Sequence, residues 1–242
     1  MFLNCLKKIK RIISKKKCCF CNAEILNNGF LCSSCENKIK IYHSQRKCVL
    51  CNRRLAGSGD EILCRYCKKL SPMFDQAIAL YSYTEEFERA LLRMKFDKVY
   101  SKVIAFSELM TVQFEKMNVK CDFIVPVPTV MMNYIIRDYC TSCELSYKIA
   151  KKCFMKVYDD MLIKKKNIQQ SALKFEQRYT NVFGMYVFNS KYKDFLKGKS
   201  VLLVDDVITS GATVSECAKV LKENGAARVY AVALLYGGDR IL

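Results

Sequence analysis

An α/β fold with a largely parallel sheet, set behind a small cysteine-rich module, is the architecture this sequence predicts, and three observations predict it. Four successive C-x-x-C pairs occupy the first 67 residues. Past "LSPMFDQ" the pairs stop, and short apolar runs begin to alternate with helical patterns, which is the grammar of a parallel sheet covered by helices. Near the C-terminus "VLLVDDVITSGATV", from Val201 to Val214, sets two adjacent carboxylates after four apolar residues and follows them with a small, hydroxylated loop.

A chain of 242 residues can bury one good core and carry a small appendage. With 51% hydrophobic and 26% charged residues, 3 Pro and 9 Gly, the composition excludes a long low-complexity region. The longest apolar runs, such as "VYAVALLY", are too short to cross a bilayer, so no membrane span is expected. Residues 1–17 form a basic amphipathic segment. Phe2, Leu6, Ile9 and Ile13 stand at helical spacing opposite seven Lys or Arg, a pattern that suits a membrane surface, nucleic acid, a partner, or packing on the chain's own domain. Its apolar residues are interrupted by charge, so the continuous core of a secretory signal is missing. The chain is expected to be cytoplasmic.

In that compartment the 15 cysteines do not suggest disulfides. Their spacing suggests metal. Cys18 and Cys21, Cys32 and Cys35, Cys48 and Cys51, and Cys64 and Cys67 are four knuckles, and two knuckles complete a tetrahedral Zn2+ site. The first pair recurs thirty residues later and the second thirty-two later, as if one unit were duplicated. The repeat favours ligand sets Cys18/Cys21/Cys32/Cys35 and Cys48/Cys51/Cys64/Cys67, although spacing by itself also allows a cross-braced pairing. Cys19 could replace Cys18, and His43, the only histidine, lies outside the repeat as a surface residue. Four thiolates leave no open coordination position, so both sites are expected to be structural.

The formal charge is +18, and counting four thiolates against each of two Zn2+ brings it to about +14. Residues 1–72 hold 16 Lys or Arg against 4 Asp or Glu. Such a module suits a polyanion, although a solvated basic face would look the same. Stacking aromatics for single-stranded nucleic acid are few there, namely Phe20, Phe30, Tyr42 and Tyr66.

From residue 73 the elements follow in order. "AIALYSY" reads as a strand, and Thr84 as the cap of a helix carrying Phe87, Leu91 and Met94 on one face. A second helix, roughly Val99 to Met117, leads to the strand "DFIVPVP". Thr141 and Glu144 offer a capping box for a helix with Leu145 and Ile149 inward. "SVLLVDD", the helix "TVSECAKVLKENG" ending at Gly225, and "RVYAVALL" make a βαβ unit.

In an open parallel sheet ligands bind beyond the carboxyl ends of the strands, where Asp205 and Asp206 are expected to sit, with a helix starting near Thr213. The loop Thr209, Ser210, Gly211, Ala212, Thr213 offers amides and hydroxyls at a helix N-terminus, which suits a phosphate. The carboxylates cannot bind that phosphate too. They should accept from neutral hydroxyls of the same ligand or hold a hydrated Mg2+, and a sugar bearing a terminal phosphate meets both demands. No G-x-x-x-x-G-K-[ST] occurs, and no G-x-G-x-x-G turn follows a predicted strand.

"VLLVDDVITSGAT" resembles the phosphoribosyl-pyrophosphate (PRPP) signature of type I phosphoribosyltransferases, and with the cysteine repeat the whole chain resembles the ComF family. "YSYTEEFERALLRMKF", "DFIVPVP" and "QQSALKFEQRYTNVFGMYVF" are similar, in order, to further segments of that family. The resemblance implies a double zinc-ribbon-like module over residues 18–72 and a type I phosphoribosyltransferase-like domain over 73–242. It implies that Asp205 and Asp206 bind ribose hydroxyls, that Thr209 to Thr213 cradle the 5-phosphate, and that Val127 and Arg137 serve the pyrophosphate side. Gln170 and Arg178 match a segment that closes over the site in related transferases, with Arg178 as a catalytic candidate. Lys95 matches a family lysine. Mg2+ is implied as the companion of PRPP, and single-stranded DNA or a competence helicase as partner. Where the family usually reads "RGFNQ" this chain reads "RDYCT", Arg137 to Thr141, which places Asp138 near the implied pyrophosphate. Two functions are therefore expected to compete: a PRPP-binding protein of DNA uptake, and an active phosphoribosyltransferase with an unidentified acceptor.

Overall fold

The computed structural model describes residues 16–25, 28–55, 59–96, 100–128, 140–165 and 182–237. The basic segment 1–17 therefore lies outside the described residues except for its last two.

The duplication read from cysteine spacing is a duplication of backbone. Cys18 N–H donates to the Ala23 carbonyl at 2.8 Å, and Cys48 N–H donates to that of Arg53 at 2.8 Å. Asn22 and Asn52 both turn with positive φ, 62° and 55°, a left-handed conformation that Asn tolerates. The bridges Lys17 to Glu24 and Lys47 to Arg54 close the two turns. In each unit the third cysteine is the N-cap of a helix: Cys32 for α1 (Ser33–Ser44) and Cys64 for α2 (Arg65–Leu70). His43 is half-buried rather than a surface residue, and its Nε2 lies 2.7 Å from the Leu80 carbonyl, tying α1 to the sheet.

Five parallel strands follow: β1 (Gln76–Ser82), β2 (Phe123–Pro126), β3 (Lys156–Val157), β6 (Ser200–Ile208) and β7 (Arg228–Tyr236), in the spatial order β1-β7-β6-β2-β3. Val201 to Val204 in β6 are completely buried, as expected of a strand covered on both faces. On one face lie α3 (Glu85–Phe96), α4 (Tyr100–Lys116) and α5 (Thr141–Cys153), with Phe87, Phe106 and Leu145 packed together with Phe20 and Cys35 of the first cysteine unit. The Phe20 and Phe87 rings meet edge-on at 4.0 Å. On the other face lie α7 (Ala212–Glu223) and the antiparallel hairpin β4 (Leu162–Lys164) and β5 (Tyr186–Phe188), packed with Cys51, Leu55 and Cys67 of the second unit. Each unit thus shares a core with one face of the sheet. A short α6 (Lys193–Leu196) leads into β6.

Helix ends follow the local chemistry. Thr84 Oγ1 accepts from Phe87 N–H at 3.5 Å, and Gly225, with φ of 107°, closes α7. The capping box expected at Thr141 is displaced by one residue. Cys140 is the N-cap, its sulfur accepting from Cys143 N–H at 3.3 Å, and Thr141 is already helical. Cys140 and Cys143 are joined as a disulfide with Cα atoms 5.2 Å apart, which corrects the expectation that none would form. Residues three apart on the first helical turn face each other, so the pairing is local. The hairpin β4–β5 had no legible signal, since three-residue strands are too short to show a period.

The sheet is anchored at the end away from the site by Asp75. Its carboxylate accepts from Val229 N–H at 2.8 Å and pairs with Arg228 and Lys222, each at 2.8 Å. Burial by itself would raise this acid, but Lys222, the Val229 amide and Arg228 outweigh it and hold it below the ordinary carboxylate range. With the folded value depressed, Asp75 contributes stability at neutral pH that is lost as pH falls through about 4 and below. Asp75→Asn is expected to cost about 1–3 kcal/mol at pH 7 and to flatten the acid limb of thermal stability, which calorimetry between pH 3 and 7 would check.

Candidate functional site

The topology creates one crevice. After β2 the chain passes to α5 on one face and moves outward to β3, and after β6 it passes to α7 on the other face and moves the opposite way to β7. The switch point lies between β2 and β6, where open α/β sheets bind ligands. Val127, just past β2, donates its N–H to the Val204 carbonyl at 2.9 Å, which brings it beside the start of the acidic pair.

Asp205 and Asp206 stand near the carboxyl end of β6, both half-buried. Asp205 Oδ1 accepts from Asp206 N–H at 2.8 Å, and Asp206 Oδ2 lies 2.5 Å from Lys95 Nζ at the end of α3. The Asp205 carboxyl is pushed up to about 8, first by burial and then by the charge of Asp206; the Asp206 amide, Lys95 and Lys164 pull the other way without offsetting these. Two carboxylates so placed retain a demand for hydroxyl donors or a cation.

The loop that follows begins a helix. Gly211 is the N-cap of α7 with φ of 85°, a conformation that disfavours side chains, and Ser210 Oγ accepts from Ala212 N–H at 3.3 Å. The first-turn amides of α7 have no acceptor within the helix, an arrangement that favours negative charge at the positive end of a helix dipole. Thr209 is gripped from behind: a Cβ added at Gly237 would meet Thr209 Cγ2 at 2.9 Å, so only glycine allows the two strand ends to approach this closely.

Lys95, Asp205, Asp206, Thr209, Ser210, Gly211, Ala212 and Thr213 are gathered at this end of the sheet. Val127 is beside them, yet its amide is used by Val204 and its carbonyl accepts from Ser142 Oγ at 2.8 Å. Arg137, Asp138, Gln170 and Arg178 lie outside the described residues. Three neighbours were missed. Lys164 at the end of β4 acts on Asp205, and its ammonium is pulled down by burial against the opposing pull of Cys217 and Asp205. Tyr186 is buried in β5, with its ring centroid 5.5 Å from Lys164 Nζ. Arg53, from the second cysteine unit, donates to the Thr209 carbonyl. Nothing local marked these three, because each reaches the site through long-range packing.

The eight cysteines form two sets, Cys18/Cys21/Cys32/Cys35 and Cys48/Cys51/Cys64/Cys67, with the sulfurs of each within 4.8 Å of one another. Tetrahedral Zn–S bonds of about 2.3 Å put sulfurs about 3.8 Å apart; Cys21 and Cys32 are at 3.5 Å, and Cys51 and Cys64 at 3.6 Å. Hydrogen bonds from Cys51, Cys64 and Cys67 hold the Cys48 thiol far below its ordinary value, and the same crowding with Cys48 first pushes Cys67 far above it. One thiolate is favoured and the next opposed, which is the demand a cation meets. Cys19 is outside the first set, its carbonyl taken by Lys102 Nζ at 2.5 Å.

Because the folded Asp205 binds its proton more tightly than the unfolded chain does, stability falls as pH rises from about 4 to about 8. Asp205→Asn is expected to raise the melting temperature at pH 8 by a few degrees, on the order of 1 kcal/mol. Equal melting of variant and parent at pH 8 would show that the carboxyl is not strained there. Metal analysis of protein purified without chelators is expected to find two Zn per chain, falling to one in Cys67→Ser.

A phosphoribosyl transferase domain family matches residues 149–242. Competence protein F of Haemophilus influenzae is 25% identical over 220 residues, covering 86% of this chain and 92% of that protein. The amidophosphoribosyltransferase of Saccharomyces cerevisiae is 25% identical over 179 residues, covering 70% of this chain but 32% of the enzyme, so the chain spans about a third of that relative. The glutamine PRPP amidotransferase of B. subtilis, solved with ADP and GMP, overlays with a TM-score of 0.38 at 20% identity, covering 55% of this chain and 26% of that one. Among the described residues no helix is long and apolar enough to cross a membrane. The chain is a homologue of Competence protein F, with a phosphoribosyl transferase domain and two four-cysteine clusters compatible with zinc ribbons.

Proposed function

We propose that the crevice at the end of β6 binds PRPP, or a related 5-phosphoribosyl ligand, together with Mg2+. The observation that carries this reading is the acidic pair set beside an anion-binding helix start at the switch point. The amides and hydroxyls of Thr209 to Thr213 would take the 5-phosphate. Asp205 and Asp206 would accept from the ribose hydroxyls, which offsets the burial and then the Asp206 charge that raise Asp205. Mg2+ would neutralise the departing pyrophosphate when bound. Lys95 pairs with Asp206, and Lys164 pulls against the rise of Asp205 without offsetting it. Arg137 and Arg178 are carried into this proposal on the family resemblance.

The two cysteine clusters would each hold a structural Zn2+, since their donor sets are complete with four sulfurs. The similarity to Competence protein F over 86% of the chain favours a role in DNA uptake, in the cytoplasm, with the basic cysteine module contacting single-stranded DNA or a helicase. The similarity to amidophosphoribosyltransferase favours the second reading, an active phosphoribosyltransferase with an unidentified acceptor.

Calorimetric titration of PRPP with Mg2+ into the zinc-loaded chain is expected to show saturable binding that Asp205→Ala/Asp206→Ala abolishes. Because ligand hydroxyls favour the ionised acid, binding at pH 7 should release a proton, read as an enthalpy that varies with the ionisation heat of the buffer. Absence of binding by the folded parent would reject the phosphoribosyl reading. DNA affinity, if it resides in the cysteine module, should fall steeply with salt.

A further inference from the structure

Arg53 is a buried cation, 3% exposed, on a turn whose repeat supplies its own control. Thirty residues earlier Ala23 holds the equivalent place: its carbonyl takes the same bond from Cys18 that the Arg53 carbonyl takes from Cys48, and it is exposed. The cysteine turn therefore forms around alanine, and the arginine side chain in the second copy has other work. It leaves the cluster and donates from Nη2 to the Thr209 carbonyl at 2.5 Å and from Nη1 to that of Gly237 at 3.4 Å. The guanidinium carbon lies 4.8 Å from the Tyr66 ring centroid and 5.4 Å from the Tyr236 ring centroid, so two rings stand near it.

We propose that Arg53 is a positioning residue for the loop Thr209 to Thr213, and that through it metal occupancy of the Cys48/Cys51/Cys64/Cys67 cluster controls ligand affinity at Asp205 and Asp206. The proposal rests on the phosphoribosyl reading for the identity of the ligand. Its geometry does not depend on that reading. A trans peptide is planar with C=O and N–H antiparallel, so holding the Thr209 carbonyl toward the cysteine unit turns the Ser210 N–H to the opposite side. The neighbouring Gly237 backbone seats the Thr209 methyl, and Arg53 bonds that residue's carbonyl as well. The loop is thereby clamped to both its own strand end and that of β7.

The link back to the metal is short. Cys51 is a cluster ligand, Asn52 makes the left-handed turn with φ of 55°, and Arg53 is next in the chain. Release of a metal from Cys51 frees that turn, and the guanidinium then loses the fixed base from which it reaches the loop. The small cavity lined by Cys51, Arg53, Tyr66, Phe74, Ser210 and Gly211 is where the cysteine unit and the loop meet. Pre-ordering a loop that would otherwise be ordered by its ligand raises affinity without any new ligand contact.

The test uses the full zinc-loaded chain and four variants: Arg53→Ala, Arg53→Lys, Cys67→Ser and, as a control on the exposed neighbour, Arg54→Met. Zinc content, amide hydrogen exchange of residues 208–213 and titration with PRPP and Mg2+ are measured on each. Arg53→Ala is expected to keep both zinc ions, to exchange those amides at least tenfold faster and to bind PRPP at least tenfold more weakly. Arg53→Lys should recover part of both effects, Cys67→Ser should loosen the same amides, and Arg54→Met should match the parent. Parental exchange in Arg53→Ala with zinc retained overturns the positioning role, and loss of zinc from Arg53→Ala overturns the division of labour drawn from Ala23. Unchanged exchange in Cys67→Ser overturns the metal link. A parent that fails to bind PRPP while Arg53→Ala still loosens the loop rejects the phosphoribosyl reading and leaves the positioning role standing.

Discussion

Two carboxylates crowded at the mouth of a buried parallel strand are the constraint around which the rest of this molecule is arranged. β6 carries them because four fully buried residues, Val201 to Val204, lock the strand between β7 and β2. Burial raises Asp205, Lys95 answers Asp206, and Lys164, on the hairpin, acts on Asp205 through its charge. Each cation comes from a different element, so the charge balance of the site is a product of the whole fold. The acids remain short of hydroxyl donors or a second cation, and that shortage gives the crevice its chemistry.

Each cysteine unit is built into a core of the sheet. Phe20 of the first packs against Phe87 and Phe106 on one face of the sheet, and Leu55 and the sulfurs of the second join the core on the other face. Metal binding free energy can therefore reach the sheet directly, since folding of such a unit and binding of its metal are linked. Lys102 adds a tie from α4 to the first turn through the Cys19 carbonyl and Asn22 Oδ1. Sequence duplication made two similar units, and their different surroundings gave them different partners: α3 and α4 for one, the end of β6 for the other.

The linker between the second unit and the sheet is also held in place. Met73 N–H donates to Ser215 Oγ in α7 at 3.0 Å, the Phe74 ring lies against Gly211, and Asp75 fastens β7. Three consecutive residues thus contact the loop, the helix it starts and the neighbouring strand. A loop with side chains as small as Ser210, Gly211 and Ala212 needs such external fixing, because they are too small to hold it themselves.

What the sequence by itself determined was whatever rests on spacing and short-range order. The duplicated knuckles, the strand bearing Asp205 and Asp206, a helix start read near Thr213 and found at Ala212, and its stop at Gly225 were legible, since each depends on residues a few positions apart, although β6 runs on to Ile208. The tertiary structure alone decided the strand order that opens the crevice between β2 and β6. It decided the arrival of Lys164 and Tyr186 on three-residue strands too short to show a period. It also moved the α5 cap from Thr141 to Cys140 and gave Arg53 a partner 156 residues away. These depend on which distant surfaces pack together, and no local pattern records that choice.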